Sequence, residues 1–137
     1  MPVPHVNLLA VLVSGVAIFM LGGLWYSPVL FAKSWVRLMG KTEEELKAGA
    51  GGAAPYVAVF FCALLTAYAL AILLNHFQPL TLLKGIELAV LCWLGFAGAT
   101  SFGSAMFSGT PRLLWLINSA YNLVSFIVAA VILTLWR

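Results

Sequence analysis

Four apolar runs, each about as long as a bilayer is thick, constrain this chain more than any other feature. A hydrocarbon core of about 30 Å requires a helix of about 20 residues, and the 137-residue sequence supplies that length four times. Because 64% of its residues are hydrophobic and 8% are charged, a monomer could not present a water-soluble surface. We therefore predict a single all-α domain, residues 1–137, that crosses a membrane as a four-helix bundle. The predicted spans are Val6–Trp25, Pro55–Asn75, Gly85–Phe107 and Leu113–Trp136.

The end of the first span predicts where the membrane surface lies. Trp25 and Tyr26 are amphipathic rings of the kind that settle at headgroup level. Ser27 followed by Pro28 is typical of a helix start, and a glycine closes the segment, so we predict an amphipathic surface helix over 28–39. Its basic residues would face lipid phosphates. The predicted membrane-surface anchor consists of Trp25, Tyr26, Lys33, Trp35 and Arg37.

The basic residues also indicate an orientation. Five of the seven lie in the first and third connections and two lie on the opposite side. The positive-inside rule therefore places connections one and three in the cytoplasm and both termini outside. The first group is Lys33, Arg37, Lys41, Lys47 and Arg112, and the second is Lys84 and Arg137.

Polar side chains within the spans mark candidate functional sites, because unpaired polar groups are costly in lipid. On the fourth span three of them are spaced i, i+4, i+7 and therefore share one stripe. One interpretation is that they hold helices together by hydrogen bonds. The functional hypothesis is a small polar cavity, open toward the cytoplasm, that admits a neutral or weakly charged solute. The candidate cavity residues are Asn118, Asn122, Ser125, Tyr121, Ser101, Ser104, Thr66 and Tyr68.

Small residues on the third span predict a close helix contact. Gly95, Ala99 and Gly103 repeat at four-residue spacing, which lets another backbone approach closely. A bundle this small has little interior of its own, so we expect it to pair, most simply as a homodimer. Membrane lipids and a larger membrane complex are the other expected partners.

Glu87 is the only acidic residue near a span, about one turn into the third. A carboxylate there can interact with the positive end of the helix dipole at headgroup depth, which is a structural role. The alternative is an outer-face ion site shared with His76 and His5, which this topology places at the same membrane face. We assign no metal, because nothing in the sequence fixes the distances among the three side chains.

No catalytic motif accompanies these features. The chain contains no aspartate, and no histidine falls within a span near the serines, so no Ser/His/Asp arrangement is indicated. It also lacks a GxxxxGK[ST] loop, a paired CxxC motif and the basic, aromatic-interleaved patch of a nucleic-acid binder. We predict a non-catalytic protein with no catalytic residue, no cofactor and no nucleic-acid partner.

Several stretches resemble a known family. They are Leu21-Gly-Gly-Leu-Trp-Tyr-Ser-Pro-Val-Leu-Phe-Ala-Lys-Ser-Trp35, Leu38-Met-Gly-Lys-Thr-Glu-Glu-Glu-Leu46, Thr66-Ala-Tyr68, Trp93-Leu-Gly-Phe96 and Leu116-Ile-Asn-Ser-Ala-Tyr-Asn-Leu-Val124. Together they resemble a bacterial family of small four-helix membrane proteins that is catalogued as a domain of unknown function. The resemblance implies this architecture and supplies no catalytic residue. We expect a self-associating or accessory module of the bacterial inner membrane, and the alternative is a minimal carrier or channel for a small solute.

Overall fold

Four long apolar helices and one short helix make up the described part of the protein. The computed structural model describes residues 5–40, 53–77 and 81–136. Four helices are long and apolar enough to cross a membrane, which confirms the predicted all-α, four-span architecture, and each lies within three residues of its predicted bounds. Lys41, Lys47 and Arg137, which enter the charge count, lie outside the described residues. The helices are α1 (Leu8–Trp25), α2 (Ala32–Met39), α3 (Ala54–His76), α4 (Leu82–Ser108) and α5 (Arg112–Leu135).

Local side-chain and backbone chemistry sets several helix ends. The side chain of Asn7 accepts hydrogen bonds from two N–H groups of the first turn of α1, at 3.1 and 3.2 Å. The Thr81 hydroxyl accepts one at 3.2 Å at the start of α4. Gly40 and Gly109 end α2 and α4 in the left-handed conformation, with φ of 71° and 72°. Each device satisfies backbone groups that a helix end leaves without an internal partner.

The surface helix α2 begins at Ala32, so the predicted start four residues earlier is wrong. Ser27 does not cap the helix, because Phe31 occupies the capping position, and the Ser27 hydroxyl instead donates to the Leu24 carbonyl at 2.6 Å. The Ser27 carbonyl accepts from the Ala32 N–H at 3.1 Å, which closes a turn between α1 and α2. Lys33 and Arg37 are both exposed, and they share one face of α2 as the sequence predicts.

Small side chains fill the contacts among α1, α3 and α5. Ala10, Ala67 and Ala129, one from each helix, are 0% exposed. A Cβ atom at Gly15 would lie 2.5 Å from the Leu64 side chain, so α1 and α3 approach too closely there for a larger residue. In lipid there is little hydrophobic force between helices, and such close approach lets dispersion forces hold them together.

Helix α5 lies at the centre of the arrangement and contacts all three of the other spans. Helix α4 packs mainly on α5 and touches α3 at few positions. A short connection brings the ends of two helices together but does not force their faces to pack. Near the start of α4, Gly85 leaves room for the buried Thr134 side chain of α5.

The small-residue core predicts a sharp difference between two neighbouring alanines on α3. Ala67→Leu should destabilise the protein by about 1–3 kcal/mol, because the added carbon atoms have no space between α1, α3 and α5. Ala69, which is exposed on the same helix, is the matched control, and Ala69→Leu should change stability by less than about 0.5 kcal/mol. Reversible unfolding in mixed micelles would measure both. Equal effects of the two variants would contradict this account of the core.

Candidate functional site

An aromatic cluster ties the α1–α2 turn to the start of α5. The indole N–H of Trp25 donates to the Ile117 carbonyl at 3.0 Å, and the Tyr26 hydroxyl donates to Oδ1 of Asn118 at 2.6 Å. The ring of Tyr121 lies 5.6 Å from that of Tyr26 and 6.3 Å from that of Trp25. We call Trp25, Tyr26 and Tyr121 the aromatic cluster. The polar ends of Trp25 and Tyr26 therefore bind α5, although both were predicted as headgroup anchors.

Of the other predicted anchor residues, Trp35 packs against this cluster, whereas Lys33 and Arg37 do not. The Trp35 ring packs edge-on against Tyr26 at 5.9 Å, which connects α2 to the end of α1. Lys33 and Arg37 point away, since both are exposed. Burial, and next the neighbouring Tyr121, raise the pKa of Tyr26 to about 12. Its phenol therefore stays protonated and remains a hydrogen-bond donor at every physiological pH.

A cleft opens beside the aromatic cluster, between α1, α3 and α5. We call the part beside Tyr26 and Asn118 the outer part of the cleft and the part further along α5, toward Ser125, its inner part. Their volumes are about 660 Å³ and about 210 Å³, and the two parts share Val59, Tyr121 and Asn122. No charged side chain of the described residues lines either part. The outer part is lined by Phe19, Gly22, Gly23, Tyr26, Tyr56, Val59, Asn118, Tyr121 and Asn122, and the inner part adds Ile18, Ala58, Cys62, Ala63, Thr66, Ser125 and Phe126.

The predicted polar stripe of α5 faces this cleft, and its members differ in how they are satisfied. Asn118 accepts the hydrogen bond from Tyr26. Asn122, one turn further along α5, is exposed and forms no hydrogen bond with the described residues. The Ser125 hydroxyl is buried, at 3% exposure for the residue, near the Tyr121 side chain, and it forms no hydrogen bond within the described part of the chain.

Tyr121 and Thr66 also line the cleft, but their hydroxyl hydrogens are already used. Tyr121 donates to the Ile18 carbonyl at 3.0 Å, and Thr66 donates to the Cys62 carbonyl of its own helix at 3.0 Å. Gly22 makes room for the Tyr121 hydroxyl, since a Cβ atom there would lie 2.9 Å from that oxygen. The glycine therefore fixes how closely the tyrosine can approach α1.

Ser101, Ser104 and Tyr68, which the sequence assigned to the same cavity, lie elsewhere. Ser101 accepts a hydrogen bond at 2.9 Å from the indole N–H of Trp115, across the contact between α4 and α5. Ser104 is exposed on α4, and Tyr68 packs partly buried against the core. None of the three lines the cleft. The predicted set therefore does not form one site: the other five members line the cleft, and these three lie outside it.

A second contact of α4 involves residues that the sequence did not single out. The segment Trp93–Gly98 is a π-helix within α4, and the indole N–H of Trp93 donates to the Ser119 carbonyl at 2.9 Å. A Cβ atom at Gly98 would lie 3.2 Å from the Trp93 ring, so the indole lies over its own helix. The sequence offers one signal for this contact, because the indole N–H of a tryptophan within a span needs a hydrogen-bond acceptor.

The three residues of the predicted outer-face ion site do not come together in the structure. His5, His76 and Glu87 are all exposed, and among the described residues no three His, Cys, Asp or Glu side chains come close enough to hold a metal ion. Glu87 lies about 7 Å along α4 from Leu82, in the second turn. The His5 backbone carbonyl, not its ring, accepts a hydrogen bond from Asn75 at 2.8 Å.

Comparison with known proteins identifies a family. The chain belongs to the family described as "Protein of unknown function (DUF1761)", whose pattern matches residues 9–134. No curated protein and no solved structure matches the chain. The family description names no activity and assigns no role to the cleft.

The bond between Tyr26 and Asn118 predicts a pH-dependent contribution to stability. Tyr26→Phe should lower the free energy of unfolding by about 1 kcal/mol, because it leaves the Asn118 carbonyl without its donor. Folding raises the Tyr26 pKa from 10.0 to about 12. The contribution should therefore be complete below pH 10.0 and should be lost as the pH rises through about 12.

Unfolding curves of the wild type and of Tyr26→Phe across this range would measure that difference. Tyr56→Phe is the control, because Tyr56 is exposed and forms no hydrogen bond with the described residues. A gap between the wild type and Tyr26→Phe that stays constant up to pH 12 would show that the phenol does not act as the donor.

Proposed function

We propose that this protein is a non-catalytic module of the bacterial inner membrane that self-associates, as a homodimer, through the exposed small-residue face of α4. Gly95, Ala99 and Gly103 lie on that face, and the observation that carries the proposal is that no other part of the described chain covers them. A Cβ atom at Gly95 or Gly103 would meet no atom within 4 Å. Ala99 is exposed as well. We assign no catalytic residue to the protein.

The position of α4 at the edge of the bundle supports this proposal. Of the most apolar 18-residue stretch of α4, 22% is buried, whereas 33% of the corresponding stretch of α5 is buried. Small residues at four-residue spacing let two helix backbones approach closely in lipid, where apolar surface alone gives little reason to associate. A second copy would bring the same face, and two such faces form a closed, two-fold symmetric contact. A larger membrane complex could use the same surface with a different helix.

The orientation that we propose places α2 and the start of α5 on the cytoplasmic side. Lys33, Arg37 and Arg112 would then face the anionic lipids of that leaflet, in accord with the positive-inside rule. Trp25 at the end of α1 and Ile117 near the start of α5 are hydrogen-bonded, so these two helix ends lie on one side of the bundle. Both termini would lie outside.

A minimal carrier or channel is the second candidate function. The observation that favours it is the exposed amide of Asn122, about 15 Å along α5 from Arg112 and therefore near mid-membrane. A solute passing this depth would need such polar groups. Proteoliposomes that contain the protein and show no flux of ions, amines or sugars above empty vesicles would remove this candidate.

Self-association predicts a specific response to enlarged residues on α4. Gly95→Leu combined with Gly103→Leu should convert a dimer into a monomer with little change in unfolding, because neither position touches the rest of the chain. Native mass spectrometry and fluorescence transfer between labelled copies in liposomes would measure the state. Ala69→Leu, an exposed small-to-large change on α3, is the matched control and should leave the dimer intact. A wild-type monomer at all protein-to-lipid ratios would disprove the proposal.

The orientation predicts opposite labelling of two exposed lysine positions. In a background with both native cysteines replaced, Lys33→Cys should react with an impermeant maleimide only after the membrane is permeabilised. Lys84→Cys should react in intact spheroplasts, because Lys84 lies at the opposite end of the bundle. The reverse pattern would invert the proposed topology.

A further inference from the structure

We propose that the cleft between α1, α3 and α5 is a binding site for an uncharged, partly apolar molecule that carries a carbonyl oxygen. The side chains that hold it are Asn122 and Ser125, assisted by the free amide of Asn118. This site does not depend on self-association through α4. It names the class of molecule for the cleft that the second candidate function would use.

Two polar side chains in the cleft have no partner in the described chain. Asn122 is exposed in the cleft near the middle of α5 and forms no hydrogen bond there. Ser125, almost one turn deeper, is 3% exposed, has an unpartnered hydroxyl and lines the inner part. Polar groups held at this depth without partners are costly in lipid, and a ligand that bonds to both removes that cost.

The unused groups include several donors, which suit a ligand with an acceptor, and the Asn122 carbonyl and the Ser125 oxygen remain able to accept as well. Tyr26 already occupies the Asn118 carbonyl, so the amide N–H groups are the free end of that side chain. Asn122 adds an amide and Ser125 adds a hydroxyl, each with a hydrogen to donate. The hydroxyl hydrogens of Tyr26 and Tyr121 are already given to Asn118 and Ile18. A carbonyl oxygen, with two lone pairs, suits such an arrangement.

The rest of the lining selects an uncharged and partly apolar molecule. No charged side chain of the described residues lines the cleft, so an ionic ligand would be left without a counter-charge at a depth where this is most costly. Phe19, Val59 and Phe126 present apolar surface beside the polar stripe. The outer volume of about 660 Å³ lies within the usual range of small-molecule sites, roughly 300–1,000 Å³.

Cys62 provides a reporter within the site, because it is exposed and lines the inner part of the cleft. The other cysteine, Cys92, is buried on α4 and can be replaced by alanine. The full-length Cys92→Ala protein in nanodiscs would be treated with N-ethylmaleimide, and the rate of Cys62 alkylation would be followed by mass spectrometry. A molecule bound beside Ser125 should slow that reaction.

Two probes separate the sources of the carbonyl. Monoolein carries it as a lipid ester, and its ether analogue has the same chain and glycerol without the carbonyl. Decylubiquinone carries it on a ring that has no position free for attack by a thiol. We expect monoolein or decylubiquinone to slow alkylation, and we expect the ether analogue to protect about fivefold less, the change that loss of one hydrogen bond gives. Protection by decylubiquinone alone assigns the ring carbonyl, and protection by monoolein alone assigns the ester.

Three variants test the residues. Asn122→Leu and Ser125→Ala should each weaken protection about fivefold, whereas Ser104→Ala, a matched change at an exposed serine outside the cleft, should not. Unfolding curves of each variant confirm that it folds, and the oligomeric state of the same samples reports the α4 contact separately. Equal protection by monoolein and its ether analogue, or no protection by any probe, would overturn the proposal. A wild-type protein that is monomeric at all protein-to-lipid ratios but is still protected would refute only the proposed self-association.

Discussion

The architecture depends on how closely small side chains allow its helices to approach. In lipid the tails are as apolar as leucine, so a helix gains little by burying leucine against a neighbour. It gains by close dispersion contact, which needs alanine, glycine or serine at the crossing. Ala67 on α3 and Ala129 on α5 occupy such positions, and both are fully buried. Ser14 on α1 is equally buried, and its hydroxyl has no hydrogen-bond partner among the described residues, so it packs there as a small side chain.

This constraint explains why the bundle is asymmetric. Helices α1, α3 and α5 meet along seams of small residues, whereas α4 contacts α5 along one side only. In the middle of that contact, the indole N–H groups of Trp93 and Trp115 each donate a hydrogen bond to the facing helix. Two surfaces are then left incomplete. One is the cleft between the three tightly packed helices, and the other is the outer face of α4.

The sequence predicted the spans well because hydropathy and length are properties of a whole helix. It predicted poorly which face of each helix points inward. A soluble helix shows its buried face by the contrast with its charged face, but a membrane helix is apolar all round and lacks that contrast. In the sequence, the small residues Gly95 and Gly103 therefore look no different from a buried alanine such as Ala67. In the structure Ala67 is buried within the chain, whereas both glycines face open space.

The polar set was divided for the same reason. Asn118, Asn122 and Ser125 belong together because one helix carries them at a spacing that fixes a common face. Adding Ser101 to them required knowing how α4 turns toward α5, which local spacing does not determine. The surface helix shows a related limit. Ser27 has the right chemistry for a cap, but α2 begins at Ala32, so Phe31 occupies the capping position.

Asn118 and Asn122 show how a structural role and a binding role can be told apart within one stripe. They are one turn apart on α5 and chemically identical, so the sequence gives no reason to treat them differently. Asn118 lies level with the end of α1, where Tyr26 can reach it, and its bond fixes that turn on the bundle. Asn122 lines the cleft together with residues of α3 such as Val59, and its amide forms no hydrogen bond with the described residues. The same side chain is therefore part of the scaffold at one depth and free for a ligand 6 Å deeper, at about 1.5 Å per residue.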